Sequence, residues 1–142
     1  MKHAMLALCA AALAVPAFGQ ASGATQLDSE GKALLDRYVI LFNKGDGAAL
    51  TKEVYASADA AALDAQFKEL RADSFGKLEA YSAAFCNVDA DHGKALLKFA
   101  RIYTFGGKMN DDEAKLFDLV KTPAGWRIAR EAEGSFGDTL SC

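Results

Sequence analysis

KALLKFARIYTFGGKMNDDEAKLFDLVKTPAGWRIAR, residues 94–130, is the stretch whose reading decides the fold. In its first run Leu97, Phe99, Arg101, Tyr103 and Phe105 alternate with Leu96, Lys98, Ala100, Ile102 and Thr104, and a period of two over this length specifies a strand. Gly106-Gly107 ends that run. The second run covers residues 114–121, and Thr122-Pro123-Ala124-Gly125 after it is turn chemistry: proline fixes φ and glycine is free to take a positive value. A third run opens at Trp126, so the whole stretch predicts an antiparallel meander.

Upstream, the apolar period changes from two to that of a helix. Asp28 or Ser29 can cap a helix running to about Lys44, with Leu34, Tyr38, Leu41 and Phe42 on one face. Gly45 stops it, and Asp46 can cap a shorter helix through Leu50 and Val54. A third helix, from Ala60 to about Ala72, repeats Leu63, Phe67 and Leu70. After a break at Asp73-Ser74-Phe75-Gly76, residues 77–88 read as the first strand, and a polar turn at residues 89–93 leads into the meander. Helices followed by antiparallel strands predict an α+β domain, with the N-terminal helices packed on one face of a curved sheet.

This order, the link Phe42-Asn43-Lys44-Gly45-Asp46-Gly47-Ala48-Ala49-Leu50 and the Gly125-Trp126-Arg127-Ile128 opening of the last strand resemble the nuclear transport factor 2-like superfamily, also called SnoaL-like or cystatin-like cones. The resemblance covers residues 27–133. It implies a cone-shaped fold and leaves function open, because isomerases, dehydratases, epoxide hydrolases and transport factors share it. Related cones often pair through the sheet. The chain lacks the early strand hairpin that larger members carry between their helices.

The front of the chain reads differently. Met1-Lys2-His3 is a short basic region, residues 4–15 are apolar, and Ala17 and Gly19 place small residues where a signal peptidase needs them. Residues 1–19 therefore read as a cleaved signal peptide, residues 20–26 as a disordered mature N-terminus and residues 134–142 as a C-terminal tail. The product is expected to be exported, into a periplasm. Without the signal the chain has 15 basic and 19 acidic residues, and no basic cluster speaks for nucleic acid or an anionic membrane surface. Two cysteines remain, Cys86 and Cys142, without Cys-x-x-Cys spacing. In an oxidising compartment they are candidates for a disulfide, with a free or intermolecular Cys142 as the alternative.

Centring the turns near Asp91, Met109-Asn110 and Ala124 places Phe85, Ala83, Tyr81 and Glu79 opposite Leu97, Phe99, Arg101 and Tyr103, on a face continued by Phe117, Leu119, Trp126, Ile128 and Arg130. That face holds the large side chains and is expected beneath the helices. Its polar members, Glu79, Tyr81, Arg101, Tyr103 and Arg130, are the candidate ligand-binding residues. Arg101 keeps its charge at any ordinary pH and needs an anionic partner, from Glu79 or from a ligand with an acidic or carbonyl oxygen. The opposite face, with Ala80, Ser82 and Ala84 beside Lys98, Ala100 and Ile102, then Leu116, Asp118 and Val120, then Ala129, is broad with few charges, and predicts a homodimer contact near Ala100.

Catalytic signals are sparse. His92 is the one histidine after residue 19 and sits in a polar turn, so Ser and Cys nucleophiles lack a base. The acidic turns at residues 89–92 and 110–113 do not complete a calcium loop, and no phosphate loop, zinc motif or dinucleotide fingerprint occurs, so no metal or cofactor is expected. The reading placed first is an exported domain that binds a small molecule or a partner. An isomerase or dehydratase using Glu79, Tyr81 and Tyr103 is the alternative, and a structural module working through the outer sheet face is a third.

Overall fold

Helix α1, Gly23–Lys44, is built around a stripe of apolar residues at helical spacing, and Leu27, Leu34, Leu35, Tyr38, Leu41 and Phe42 are all buried. The structure, a computed structural model, describes residues 23–72, 76–103 and 109–142. The segment read as a signal peptide, the break at residues 73–75 and the Gly106-Gly107 turn lie outside the described residues. α1 starts before Asp28, so residues 23–26, read above as disordered, are helical. The reason is Leu27: it is fully buried and reaches the β-hairpin at Gly93 beside the Trp126 ring, which draws in the turn that carries it.

The end of α1 is closed by two backbone bonds. Gly45 N–H donates to Phe42 O (2.9 Å) and Asp46 N–H donates to Leu41 O (3.1 Å), with Gly45 at φ 66°. This is a Schellman motif, and its positive φ is what calls for glycine. Asp46 then serves the next helix, α2, Gly47–Glu53, by accepting from Ala49 N–H at 2.9 Å. Helix α3, Ala60–Ala72, docks by Phe67, whose ring stands edge-on to Phe42 at 5.2 Å.

Four strands follow: β1 Lys77–Asn87, β2 His92–Tyr103, β3 Met109–Thr122 and β4 Gly125–Gly134. They form an antiparallel sheet in the order β1-β2-β3-β4 that does not close on itself. Asn43 ties α1 to β1 by mimicking a strand: its amide donates to Leu78 O (2.9 Å) and accepts from Leu78 N–H (2.8 Å). At the far edge, residues 54–56 run beside β4, with Ala56 N–H bonding Ile128 O and Ile128 N–H bonding Val54 O, both at 2.9 Å. That pairing covers part of an otherwise open edge.

Ala95, Leu97 and Phe99 of β2 join Phe117, Leu119, Trp126 and Ile128 in the core under α1. On the edge strands the expected register is corrected. Phe85 pairs with Ala95 and Ala83 with Leu97, and a bulge between Ala80 and Ser82 then pairs Glu79 with Ala100. A second bulge leaves Ala129 unpaired between Ile128, opposite Leu119, and Arg130, opposite Asp118. Each extra residue reverses the alternation beyond it. Glu79 and Arg130, expected on the inner face, therefore lie on the outer one.

The residues after β4 cross the outer face back to β1. Phe136 stands edge-on to Tyr81 with ring centroids 5.9 Å apart, Lys98 Nζ lies 5.4 Å over the Phe136 ring, and Cys142 forms a disulfide with Cys86 at a Cα–Cα distance of 6.1 Å.

Candidate functional site

The inner face is apolar except at one end, where β2, β3 and β4 turn a group of polar side chains toward α1. The alternation that buries Phe117 also turns Lys115 and Glu113 inward, and the bulge at Ala129 does the same for Glu131. Tyr38 reaches down from α1, its ring packed edge-on to Phe117 at 5.3 Å. Tyr55 comes from the segment beside β4, edge-on to Tyr38 at 6.5 Å.

Two ion pairs of different quality result. Arg101 and Glu113 form a two-pronged pair, Nε to Oε1 and Nη2 to Oε2, both at 2.8 Å. That geometry satisfies a guanidinium well. Lys115 is held less closely: its Nζ donates to the Tyr38 hydroxyl at 3.1 Å, while the nearest carboxylate oxygen, on Glu131, is 3.9 Å away. The ammonium also lies 5.2 Å over the Phe42 ring and 5.8 Å over that of Tyr38. Glu131 in turn accepts from the Tyr55 hydroxyl at 3.3 Å.

Burial sets the electrostatics. The Lys115 side chain is 15% exposed, and loss of water lowers its pKa, an effect that Glu131 opposes and Arg101 reinforces. Tyr38, fully buried, is pushed well above the usual tyrosine range, first by desolvation and then by the charge of Glu131. Tyr55 is raised for the same two reasons. Glu113 and Glu131 keep about a third of their side-chain surface in solvent, so the group opens to water on its acidic side.

The five candidate residues are not gathered in one place. Arg101 is in this inner group. Tyr103 ends β2 two residues further on, and its side chain lies outside those described. Glu79 is on the outer face and exposed. Tyr81 is at the bulge, 52% exposed, against Phe136, and its pKa is raised by partial desolvation and by the Asp112 carboxylate that its hydroxyl meets. Arg130 pairs outside with Asp118, Nη2 to Oδ2 at 2.7 Å. The partner expected for Arg101, Glu79, is thus replaced by Glu113. In the turn before β2, Asp89 Oδ1 accepts from the amides of Asp91 and His92 at 2.8 Å and lies 2.9 Å from His92 Nδ1. These bonds hold its pKa low, as expected of a carboxylate that caps its own turn.

A groove of about 600 Å³ runs between α1 and β1 over Leu35, Val39, Ala83 and Phe85. Its charges, Asp28, Lys32 and Asp36, are exposed at the rim, and Lys32 is already paired with Asp36 at 2.7 Å. It offers an apolar floor without a buried donor aimed into it, whereas the Lys115 group offers the donor.

No family model matches the sequence, and no curated relative matches it. Solved structures do. A nuclear transport factor 2-like protein with a cystatin-like fold from Novosphingobium aromaticivorans superposes with a TM-score of 0.61 at 21% identity, over 81% of this chain and 85% of that one. A protein of unknown function from Mycobacterium tuberculosis gives 0.65 at 19% identity, over 82% and 74% of the two chains. A domain of unknown function with a cystatin-like fold from Nostoc punctiforme gives 0.63 at 18% identity, over 82% and 80%. In fold, then, this chain is similar to these nuclear transport factor 2-like and cystatin-like structures: helices packed on an open, antiparallel sheet.

Proposed function

We propose that this chain is an exported small-molecule-binding domain whose ligand presents a carboxylate or carbonyl oxygen to Lys115, and that it carries out no reaction of its own. The observation that carries the reading is the Lys115 ammonium. It is largely buried and has three hydrogens to donate, yet among the described residues it makes one hydrogen bond, to Tyr38, and its carboxylate neighbour stands beyond hydrogen-bond range. Burying such a charge without full compensation is costly, and an oxygen from a ligand would supply the missing acceptor. Phe42, Phe117 and Tyr38 give the apolar surround that a small-molecule site requires. Arg101, first expected in this role, is occupied by Glu113.

Native mass spectrometry of the protein taken from its own compartment tests the proposal. A co-purifying small acid or carbonyl compound is expected on the wild type and on Lys115→Arg at reduced occupancy, and is expected to be absent from Lys115→Met. Circular dichroism on each variant confirms the fold. Wild-type protein that carries no ligand and takes up none from an extract of that compartment retires the proposal, as does a ligand retained equally by Lys115→Met.

A further inference from the structure

The two edges of the sheet are finished differently. Beside β4 the backbone of residues 54–56 supplies a short ladder. On β1, among the described residues, the edge is met at Leu78 alone, whose N–H and C=O both bond the Asn43 amide. Beyond it, Ala80-Tyr81-Ser82-Ala83-Ala84-Phe85 carries neither charge nor proline, the usual means of blunting an edge, and only the bulge at Tyr81 disturbs it. Antiparallel partners alternate between pairs that exchange both backbone bonds and pairs that exchange none. Val88 N–H bonds His92 O at 2.9 Å, so, counting back in twos, Cys86, Ala84 and Ser82 bond β2 opposite Lys94, Leu96 and Lys98. Ala83 and Phe85 are the alternate residues, and their N–H and C=O groups point away from β2, toward the groove beside α1. Ala83 shares the inner face with the buried Leu97 yet is itself exposed, so the helix stops short of this edge. α1 runs antiparallel to β1, since a methyl at Gly31 would meet the Phe85 ring and Asn43 meets Leu78. From Asp28 to Val39 the helix is about 16 Å long, as is the strand from Ala80 to Phe85, which leaves room for roughly five residues of extended chain.

We infer that this groove seats an extended segment of a partner protein, added as a fifth strand antiparallel to β1, with a basic residue at its N-terminal end and apolar residues at alternate positions after it. The open groups of Ala83 and Phe85 supply the ladder, and such main-chain bonds give affinity while side chains at every second position give specificity. Those side chains, on the residues opposite Ala83 and Phe85, turn to the inner face and lie over Leu35, Val39 and Leu97. Charge at the rim selects the basic end. Lys32 is neutralised by Asp36 at 2.7 Å, which leaves the Asp28 carboxylate, at the Phe85 end of the groove, as its net charge. Antiparallel pairing is the more stable arrangement, and it brings the N-terminal residue of the added strand to that end. The inference stands on the edge of the sheet and is independent of the ligand proposed for Lys115.

The test is amide hydrogen exchange and chemical-shift titration of the isotope-labelled protein with the peptide acetyl-Lys-Thr-Val-Thr-Val-amide. In the free protein the Ala83 and Phe85 amides are expected to exchange fast and the Ala84 amide slowly, and the peptide is expected to slow the first two. Methylating the amide nitrogens of both valines is expected to abolish binding and methylating those of the threonines to spare it, because the valine amides are the ones that face β1. Glutamate in place of the lysine is expected to weaken binding about fivefold, and Asp28→Lys to reverse that preference. No protection at millimolar peptide overturns the inference, as do binding that survives methylation of the valines and a glutamate peptide that binds as well as the lysine one. Ala83 and Phe85 amides protected in the free protein at every dilution overturn it too, because the chain then covers its own edge. Protection that appears without peptide and grows with protein concentration overturns it in favour of a second copy.

Discussion

Replacing Asn43 by alanine removes both hydrogen bonds that fasten α1 to the edge strand β1, at 2.8 and 2.9 Å to the backbone of Leu78. Each such bond is worth about 1 kcal/mol net, and a donor left without a partner costs more than the mean. Leu78 is 3% exposed, so little water reaches the freed groups. The expected loss is about 2 to 3 kcal/mol, read as a fall in the urea midpoint of roughly 1 M. Asn43→Asp sharpens the test, because it keeps the acceptor for Leu78 N–H but turns an anionic oxygen toward Leu78 O. Its folded-state pKa is then raised, so stability is retained below the unfolded value of about 4 and lost as pH rises through the folded one. Asn43→Asp should approach wild type in acid and fall toward Asn43→Ala at neutral pH. Urea titrations of the three proteins at both pH values decide it. A cost below about 0.5 kcal/mol for Asn43→Ala would refute the view that this amide anchors the strand.

Arg101→Leu is expected to lower stability by about 3 kcal/mol or more, because Glu113 would keep a partly buried charge without its partner; Arg101→Leu with Glu113→Leu should recover much of that loss. Thermal melts of the single and double variants measure it. Gly31→Ala should be destabilising although glycine sits in a helix, since a methyl there meets the Phe85 ring at 2.7 Å; Phe85→Leu in the same background should relieve the strain in a denaturant titration. Stability should fall as pH rises past about 10, where tyrosines ionise in the unfolded chain while folding holds Tyr38 and Tyr55 protonated. The slope should be shallower in Tyr55→Phe, as followed by circular dichroism.

Alternation and turn chemistry made most of the fold legible. Gly45 and Asp46 carry the end of α1 and the start of α2 on their own side chains and backbone freedom, and the period of two in β2 gives the inner face of Leu97, Phe99 and Arg101. Counting back in twos from Phe117 reaches Lys115 and Glu113 as well, so the sequence holds that signal. A search directed at arginines and aromatic residues passes over a lysine flanked by alanine and leucine. Glu131 had no such signal. Its inward direction depends on the unpaired Ala129, and nothing in Ile128-Ala129-Arg130-Glu131 marks which residue the ladder will skip. Glu79 was misplaced for the same reason, by the bulge next to Tyr81. Bulges arise from the fit between neighbouring strands and the curvature of the whole sheet, which a single strand read in isolation does not contain.

The unpaired Ala129 has a bearing on how this interior can change over time. With Ala129 in place, β4 sends a carboxylate inward and a guanidinium outward. If the strand paired regularly instead, with Ala129 opposite Asp118, Arg130 would turn toward Lys115 and Glu131 toward the solvent. The sign of the charge offered to an incoming molecule would reverse without any charged residue being replaced. In this fold, the loss of a single bulge from an edge strand is therefore a route to new ligand preference that a comparison of side-chain identities alone would overlook.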